Sequence, residues 1–387
     1  MIYTPNQLPQ EASTPFAYDV AQLTDVHRQR AWIELSSKAF FHNAAQVKHY
    51  VGDAHIASVL KANAYGHGLI EMGQLCDATT AISLLTVAFL SEALALRNAG
   101  VKKPILVLSY SDGDVAQSLD NNIAFVVDSY QQVMALHAHA HKHQTSIDVH
   151  IKINTGLARR GLERDTVIEF VHMVRQLSHI RLMGICSHFS SAYTSAVTTQ
   201  EQKALFASLV QNLIEQNIVV PFIHMSNSSC TDVANCNLFR TGVALYGYNP
   251  GHVDISLKPV LTFKTRVAQT RTLPANTSVG YDGTYRTYRP TILAYLPIGY
   301  FDGYDIRFSN VGVMYVRGGY ASVCGRVGMN MVALDVTDIP GVSAGDEVVV
   351  LGDIDGIRGF DLCAQSGMHN VRELLACINP LLPRFMV

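Results

Sequence analysis

Lys61 follows the apolar run HIASVL at 55–60 and opens the loop ANAYGHG, where glycines at 66 and 68 permit tight turning before a helix begins. An amine held among apolar neighbours loses part of its hydration. That lowers its pKa and frees it for Schiff-base chemistry with an aldehyde; a surface lysine snorkelling from a strand end is the plain alternative. Four of the 16 histidines fall in HAHAHKH, at His137, His139, His141 and His143. On a helix His137 and His141 share one face and His139 and His143 another. No carboxylate or cysteine is interleaved, so the stretch reads as a solvated helix end and no metal is expected. The seven cysteines, at 76, 186, 230, 236, 324, 363 and 377, are scattered and never form Cys-x-x-Cys. They read as reduced structural thiols, not as a disulfide frame or a zinc site.

Chemistry at a strand end needs a frame that repeats strands. From residue 55 to about 250 short, branched apolar runs alternate with longer segments of helical spacing. The runs lie at 55–60, 82–87, 104–108, 123–127, 147–153, 181–189, 221–226 and 243–247, the last being VALYG. Helix candidates lie between most of them, among them 91–99, 129–143, 166–177 and 200–216. Eight strand-helix units predict an α/β fold with a closed, eight-stranded parallel (β/α) barrel of the TIM type, whose chemistry collects at the C-terminal strand ends. After about residue 257 the rhythm changes to period-two strands at 261–267, 291–296, 312–316, 331–336 and 347–351, separated by turn-rich pieces. The chain therefore divides into an amino-terminal extension at 1–30, a barrel at 31–255 and a second, mainly β, C-terminal domain at 256–387. The segment AWIELS at 31–36 precedes the first barrel strand and is open to either domain.

A chain of 387 residues, 48% hydrophobic and 16% charged, can bury a large core. Its net charge of -2, without a basic stripe, gives no basis for holding nucleic acid or an anionic membrane. The start, MIYTPNQLPQEAST, lacks the basic and apolar regions of a signal peptide, and the longest apolar stretch, at 81–90, is too short to span a bilayer. A cytoplasmic protein is expected.

The string VLKANAYGHG at 59–68 closely resembles the cofactor-lysine motif of the alanine racemases, and seven further segments resemble that family in family order. They are KINTGLARRG at 152–161, SHF at 187–189, HMSNSS at 224–229, FRTGVALYG at 239–247, VGYDGTY at 279–285, LPIGYFDGY at 296–304 and CGRVGMN at 324–330. Together they cover about residues 30–387. The resemblance implies a pyridoxal-phosphate enzyme that interconverts L- and D-alanine, built as an α/β barrel followed by a β domain. It further implies a head-to-tail homodimer in which each active site borrows residues from the other protomer. D-Alanine supply for a bacterial cell wall is the family's usual task.

By the same resemblance Lys61 carries pyridoxal 5'-phosphate and acts as one of two bases on the substrate Cα. Tyr281, reaching across the interface, acts as the other. A free tyrosine is a poor base at neutral pH, and His188 with Arg240, which connect it to the pyridine nitrogen, supply a positive neighbourhood. A guanidinium keeps its proton, so at that nitrogen it leaves the ring unprotonated and a weaker electron sink. The phosphate falls to Tyr65, Ser228, Gly242 and Val243. Arg159 resembles the arginine on the substrate carboxylate, Lys152 a lysine often carbamylated to steer it, and Tyr300 and Met329 the other protomer's residues at the substrate doorway and carboxylate. Three positions depart from the family pattern: Asn154 and Asn330 stand where aspartates are usual, and Pro380 stands where a tyrosine touches the phosphate and narrows the pocket. A missing pocket tyrosine leaves room beside the substrate Cβ, which keeps a broad-spectrum racemase acting on serine, lysine or arginine open as the alternative. A non-catalytic pyridoxal-phosphate carrier generally ends after the barrel, and a related decarboxylase is expected to place a carboxylate at the ring nitrogen. The β domain and Arg240 argue against these two.

Overall fold

Buried on both faces, the short branched runs of the first half hydrogen-bond side by side into a parallel sheet, as such composition requires. The computed structural model describes residues 29–119, 121–228, 235–249 and 254–387, so the expected extension at 1–30 lies outside it up to residue 28. After β1 (Ala31–Leu35), the strands β2 (His55–Val59), β3 (Leu84–Val87), β4 (Ile105–Val107), β5 (Ile123–Val127), β6 (Ile147–Lys152), β7 (Ile180–Cys186), β8 (Phe222–His224) and β9 (Leu238–Thr241) form one sheet in the order β8-β7-β6-β5-β4-β3-β2-β9. Every neighbouring pair is parallel. This is the predicted eight-stranded barrel, nearly closed.

Helices α1 (Ser37–Val51), α2 (Leu69–Asp77), α3 (Leu90–Asn98), α4 (Tyr130–Lys142), α5 (Val167–Arg175) and α6 (Ala196–Glu215) separate these strands. Serine hydroxyls start three of them: Ser36, Ser129 and Ser195 accept from the amides of Ala39, Gln132 and Thr198. On α4, His137 and His141 share a face as expected and meet the ring of His179 from α5's far end. Among the described residues no group of three histidine, cysteine or acidic side chains is arranged to hold a metal, and no helix is long and apolar enough to cross a membrane.

One expected element is corrected. The eighth barrel strand is LFRT at 238–241, not VALYG at 243–247, which is a series of turns. The Gly242 carbonyl accepts from the amides of Leu245 and Tyr246, and the Val243 carbonyl from Tyr248. The run is apolar because it is buried, and buried Asn43 pins it by donating to the Leu245 and Lys258 carbonyls at 3.1 and 2.8 Å. Between β8 and β9 there is no ladder; Asn237 closes that edge instead. Its backbone amide donates to the Ile223 carbonyl, its side-chain oxygen accepts from the Ile223 amide at 2.9 Å and its side-chain nitrogen donates to Pro221 at 2.8 Å.

The second half builds β10 (Leu261–Arg266), β11 (Gln269–Leu273), β12 (Ser278–Val279), β13 (Tyr285–Arg286), β14 (Thr291–Leu296), β15 (Val313–Val316), β16 (Gly319–Val323), β17 (Val332–Asp335), β18 (Glu347–Leu351) and β19 (Arg384–Met386), with helices α7 (Gly359–Ser366) and α8 (Val371–Ala376). Nine strands form one sheet in the order β11-β14-β17-β16-β15-β18-β10-β1-β19. The segment at 31–35 thus belongs to this sheet, antiparallel to β10 and parallel to β19.

The chain between β2 and α2 is where the two halves meet at the lysine. Ala62, Asn63, Ala64 and Tyr65 all have φ between 51° and 56°, one turn of left-handed helix, at a cost of about 1–2 kcal/mol per residue. Sequence reasoning assigned this freedom to Gly66 and Gly68 alone. The strain is held by fixed partners: Glu92 accepts from the Ala62 amide at 2.8 Å, Asn63 from the Leu69 amide at 2.8 Å, and Arg384 of β19 donates to the Gly66 carbonyl at 2.8 Å. At Gly66 itself φ is 79° and a Cβ would lie 2.0 Å from the Leu375 carbonyl oxygen in α8. The substitution Gly66→Ala is therefore expected to cost about 2–4 kcal/mol, read as a lowered thermal midpoint. A midpoint within a degree of the parent would mean that α8 does not brace the lysine loop.

Candidate active site

Six cationic side chains line one cavity of about 580 Å³ at the C-terminal ends of the barrel strands: Lys61, Lys152, Arg159, Arg160, Arg240 and Arg372. No carboxylate lines it among the described residues, and only Arg160 forms an ion pair there, 2.7 Å from Asp128. Arg160 also donates to the Leu108 and Val126 carbonyls, so its role is to tie strand ends together. Among the described residues the others make no ion pair.

Lys61 lies where β2 ends, and burial holds its pKa below the ordinary lysine value, with Arg159, Arg240 and Arg372 lowering it further against Glu92. Lys152, at the end of β6, is pushed down to about 8, chiefly by burial. Asn154 explains itself: its oxygen accepts from the Gly156 and Ala158 amides while its nitrogen donates to Glu163 at 2.9 Å, a donation no aspartate could make. That brace shapes the loop that presents Arg159.

Arg240, inside β9, is buried and organises three histidines. One terminal nitrogen donates to His224 Nδ1 and, at 3.0 Å, to the His224 carbonyl; the other donates to the Ser187 carbonyl at 2.8 Å and to His188 Nδ1 at 3.2 Å. A guanidinium only donates, so both Nδ1 atoms must be bare and both Nε2 atoms protonated. His224 Nε2 then donates to His150 Nδ1 at 2.8 Å, which fixes the third ring as well. Charge agrees with this assignment, because burial and then Arg240 push His150 and His188 down to about 3. Gly184 of β7 makes room for the chain, since a Cβ there would lie 2.2 Å from His150 Nδ1.

A second end of the cavity is rich in hydroxyls. Tyr65 lies against Gly242, where a Cβ would come within 3.0 Å of its oxygen, and Ser228 bonds Thr241 at 2.9 Å. Burial raises Tyr65 to about 12, so it is a phenol and a donor. Val243 begins the turns beyond and also lines the cavity, as does Tyr193.

Eight of the eleven residues expected at the site therefore line one cavity: Lys61, Tyr65, Arg159, His188, Ser228, Arg240, Gly242 and Val243. The other three do not reach it within the chain. Tyr281, Tyr300 and Met329 are 73%, 44% and 55% exposed on the β domain, where the Tyr300 amide donates to the carbonyl of Gly328, beside Tyr281 and Met329. Sequence reasoning missed Arg372, Tyr193, His150 and the role of His224. His150 had a signal, since it shares the barrel-facing side of β6 with Lys152; Arg372 had none. Pro380 is exposed, and no contact among the described residues accounts for Asn330, which is exposed too.

Comparisons with known proteins converge on one family. Residues 35–250 match the model of the alanine racemase N-terminal domain and residues 260–386 that of the C-terminal domain. The chain is 36% identical over 369 residues to an alanine racemase of Halothermothrix orenii, covering 91% of this chain and 96% of that one. Among solved structures, the alanine racemase of D-cycloserine-producing Streptomyces lavendulae superposes with a TM-score of 0.86 at 26% identity, covering 93% and 97%. A histidine racemase of Leuconostoc mesenteroides superposes with a TM-score of 0.85 at 27% identity, covering 93% and 98%.

The buried neutral histidines give the fold a pH dependence. His67, stacked on Tyr246, is lowered to about 4 by burial, and His150 and His188 to about 3, whereas unfolded histidine titrates near 6.5. Between about pH 6.5 and pH 3–4 the unfolded chain binds more protons than the native one, so stability falls as the pH falls. Thermal midpoints at fixed ionic strength should drop steadily from pH 6.5 to pH 4, and His67→Phe, which keeps the stacking, should make that slope shallower. An unchanged slope in the variant would show that His67 is not held neutral.

Proposed function

This chain belongs to the alanine racemase family, and on that premise we propose that it interconverts L- and D-alanine with pyridoxal phosphate held on Lys61. The observation that carries this reading is the cavity's charge: six cations, no lining carboxylate among the described residues, and an amine of depressed pKa. Such a lining fits a ligand with an anion at each end, here a phosphate and a substrate carboxylate. Lys61 would hold the cofactor by its amine, Arg240 would face the pyridine nitrogen, and Tyr65, Ser228, Gly242 and Val243 would hold the phosphate. When bound, the cofactor supplies the electron sink that acidifies the substrate Cα.

The chain's own residues then divide the work. Arg159 orients the substrate by its carboxylate, and Lys61 Nζ removes or returns the Cα proton on one face. The opposite face falls to Tyr281 of a second protomer in a homodimer, with Tyr300 and Met329 of that protomer at the doorway and the carboxylate. His188 cannot carry the proton itself at neutral pH, because Arg240 occupies its Nδ1 with a donated hydrogen. Its Nε2–H can donate to the tyrosine oxygen, and with the Arg240 charge behind it that donation favours the phenolate a base requires. Arg240, keeping its own proton, would leave the ring nitrogen of a bound cofactor unprotonated. Lys152, with a pKa of about 8, is partly unprotonated at neutral pH and open to carbamylation beside Arg159. The proposed setting is the cytoplasm, supplying D-alanine for a cell wall.

A second reading is broader substrate choice, favoured by the likeness to a histidine racemase and by Pro380, which brings no ring toward the cavity. Chiral chromatography of a panel of L-amino acids decides between them: preference for alanine by tenfold or more supports the first.

Sharing of sites is tested by mixing two inactive variants. Lys61→Ala and Tyr281→Phe should each lose racemisation by a factor of about 100 or more, and refolding them together in equal amounts should restore about a quarter of wild-type activity through mixed dimers. No recovery in demonstrably mixed dimers would show that no site combines Lys61 of one protomer with Tyr281 of the other.

A further inference from the structure

We propose that Arg372 is an anion-binding residue of the active site, aimed at the phosphate of the cofactor. Its guanidinium sits on α8, a helix whose other residues fix its direction. Val371, Leu374 and Leu375 are buried, and the next residue, Glu373, is turned away to pair with Arg307 at 2.7 Å. Arg372 itself lines the cavity and has no carboxylate partner among the described residues. It donates to the Tyr193 hydroxyl at 2.8 Å and lies over that ring, 5.0 Å from its centre. A cation on a packed helix, steered by a phenol and without a counter-ion among the described residues, is suited to hold an anion.

Which anion it serves follows from its neighbours, given the reading of the site proposed above. The helix that carries Arg372 packs on the loop immediately after Tyr65, where a Cβ on Gly66 would lie 2.0 Å from the Leu375 carbonyl oxygen, and Arg372 and Tyr65 line the same cavity. Of the three arginines acting on Lys61, Arg159 is foremost and Arg372 last. Arg159 therefore belongs with the amine and the substrate, and Arg372 with the hydroxyl end, where Tyr65 rests on Gly242 beside Ser228 and Val243. Pro380 in the neighbouring tail brings no donor, so the guanidinium is the cation of that end.

The test compares two aldehydes, pyridoxal phosphate and pyridoxal, which differ only in the phosphate. Each is titrated into apoprotein, and imine absorbance gives the two dissociation constants. Arg372→Gln should weaken pyridoxal phosphate by about tenfold to hundredfold while changing pyridoxal by less than about threefold. Arg372→Lys should keep part of the preference, because an ammonium preserves the charge without the planar fork. Equal weakening of both aldehydes would assign Arg372 a merely structural role, and an unchanged ratio would show that its anion is not the phosphate. Either result overturns the proposal. If the ratio is unchanged but turnover of aspartate or glutamate is lost, the guanidinium serves a substrate carboxylate instead. A wild-type protein that forms no imine with either aldehyde overturns the reading of Lys61 itself, and this inference with it.

Discussion

A buried guanidinium that no carboxylate among the described residues neutralises is the constraint on which the rest of this structure depends. Arg240 is held by two carbonyls and two imidazoles drawn from the ends of β7 and β8. Burying a charge without such partners is prohibitive, so the strand ends must converge where they do. The same charge dictates which nitrogen of each histidine carries a hydrogen, and it keeps those rings neutral. Geometry and electrostatics at this site are one problem: the cation that shapes the barrel mouth also decides what can be a base there.

Much of this was legible in the sequence because the barrel repeats. Seven of the eight expected strands overlap observed ones, and the branched runs of the second half do the same. The eighth failed because VALYG and LFRT are both apolar and adjacent, and only the pinning of the turns by Asn43 distinguishes them. Eight site residues converge because each sits at a strand end or in the loop that follows it. Arg372 and Tyr193 come together from α8 and the stretch before α6, some 180 positions apart, and nothing in either local pattern announces the meeting. Tyr281, Tyr300 and Met329 were legible as motifs, and they do not line the barrel cavity of their own chain.

The lysine loop shows how strain is kept. Four consecutive non-glycine residues in left-handed conformation cannot persist on local bonds. They persist because Glu92 braces one side, and because Leu375 and Arg384 close over the other. The β domain thus does more than sit beside the barrel: its last helix and strand hold the amine's backbone in place, and the same helix presents a guanidinium to the cavity.

The pairing of β19 with β1 has a temporal consequence. A sheet whose outer strand comes from residues 384–386 and whose next strand comes from residues 31–35 cannot close until both have been made. The barrel strands leave the ribosome before Leu375 and Arg384, which brace the lysine loop, exist to do so. Until then the left-handed turn after Lys61 lacks the contacts that Leu375 and Arg384 make with Gly66.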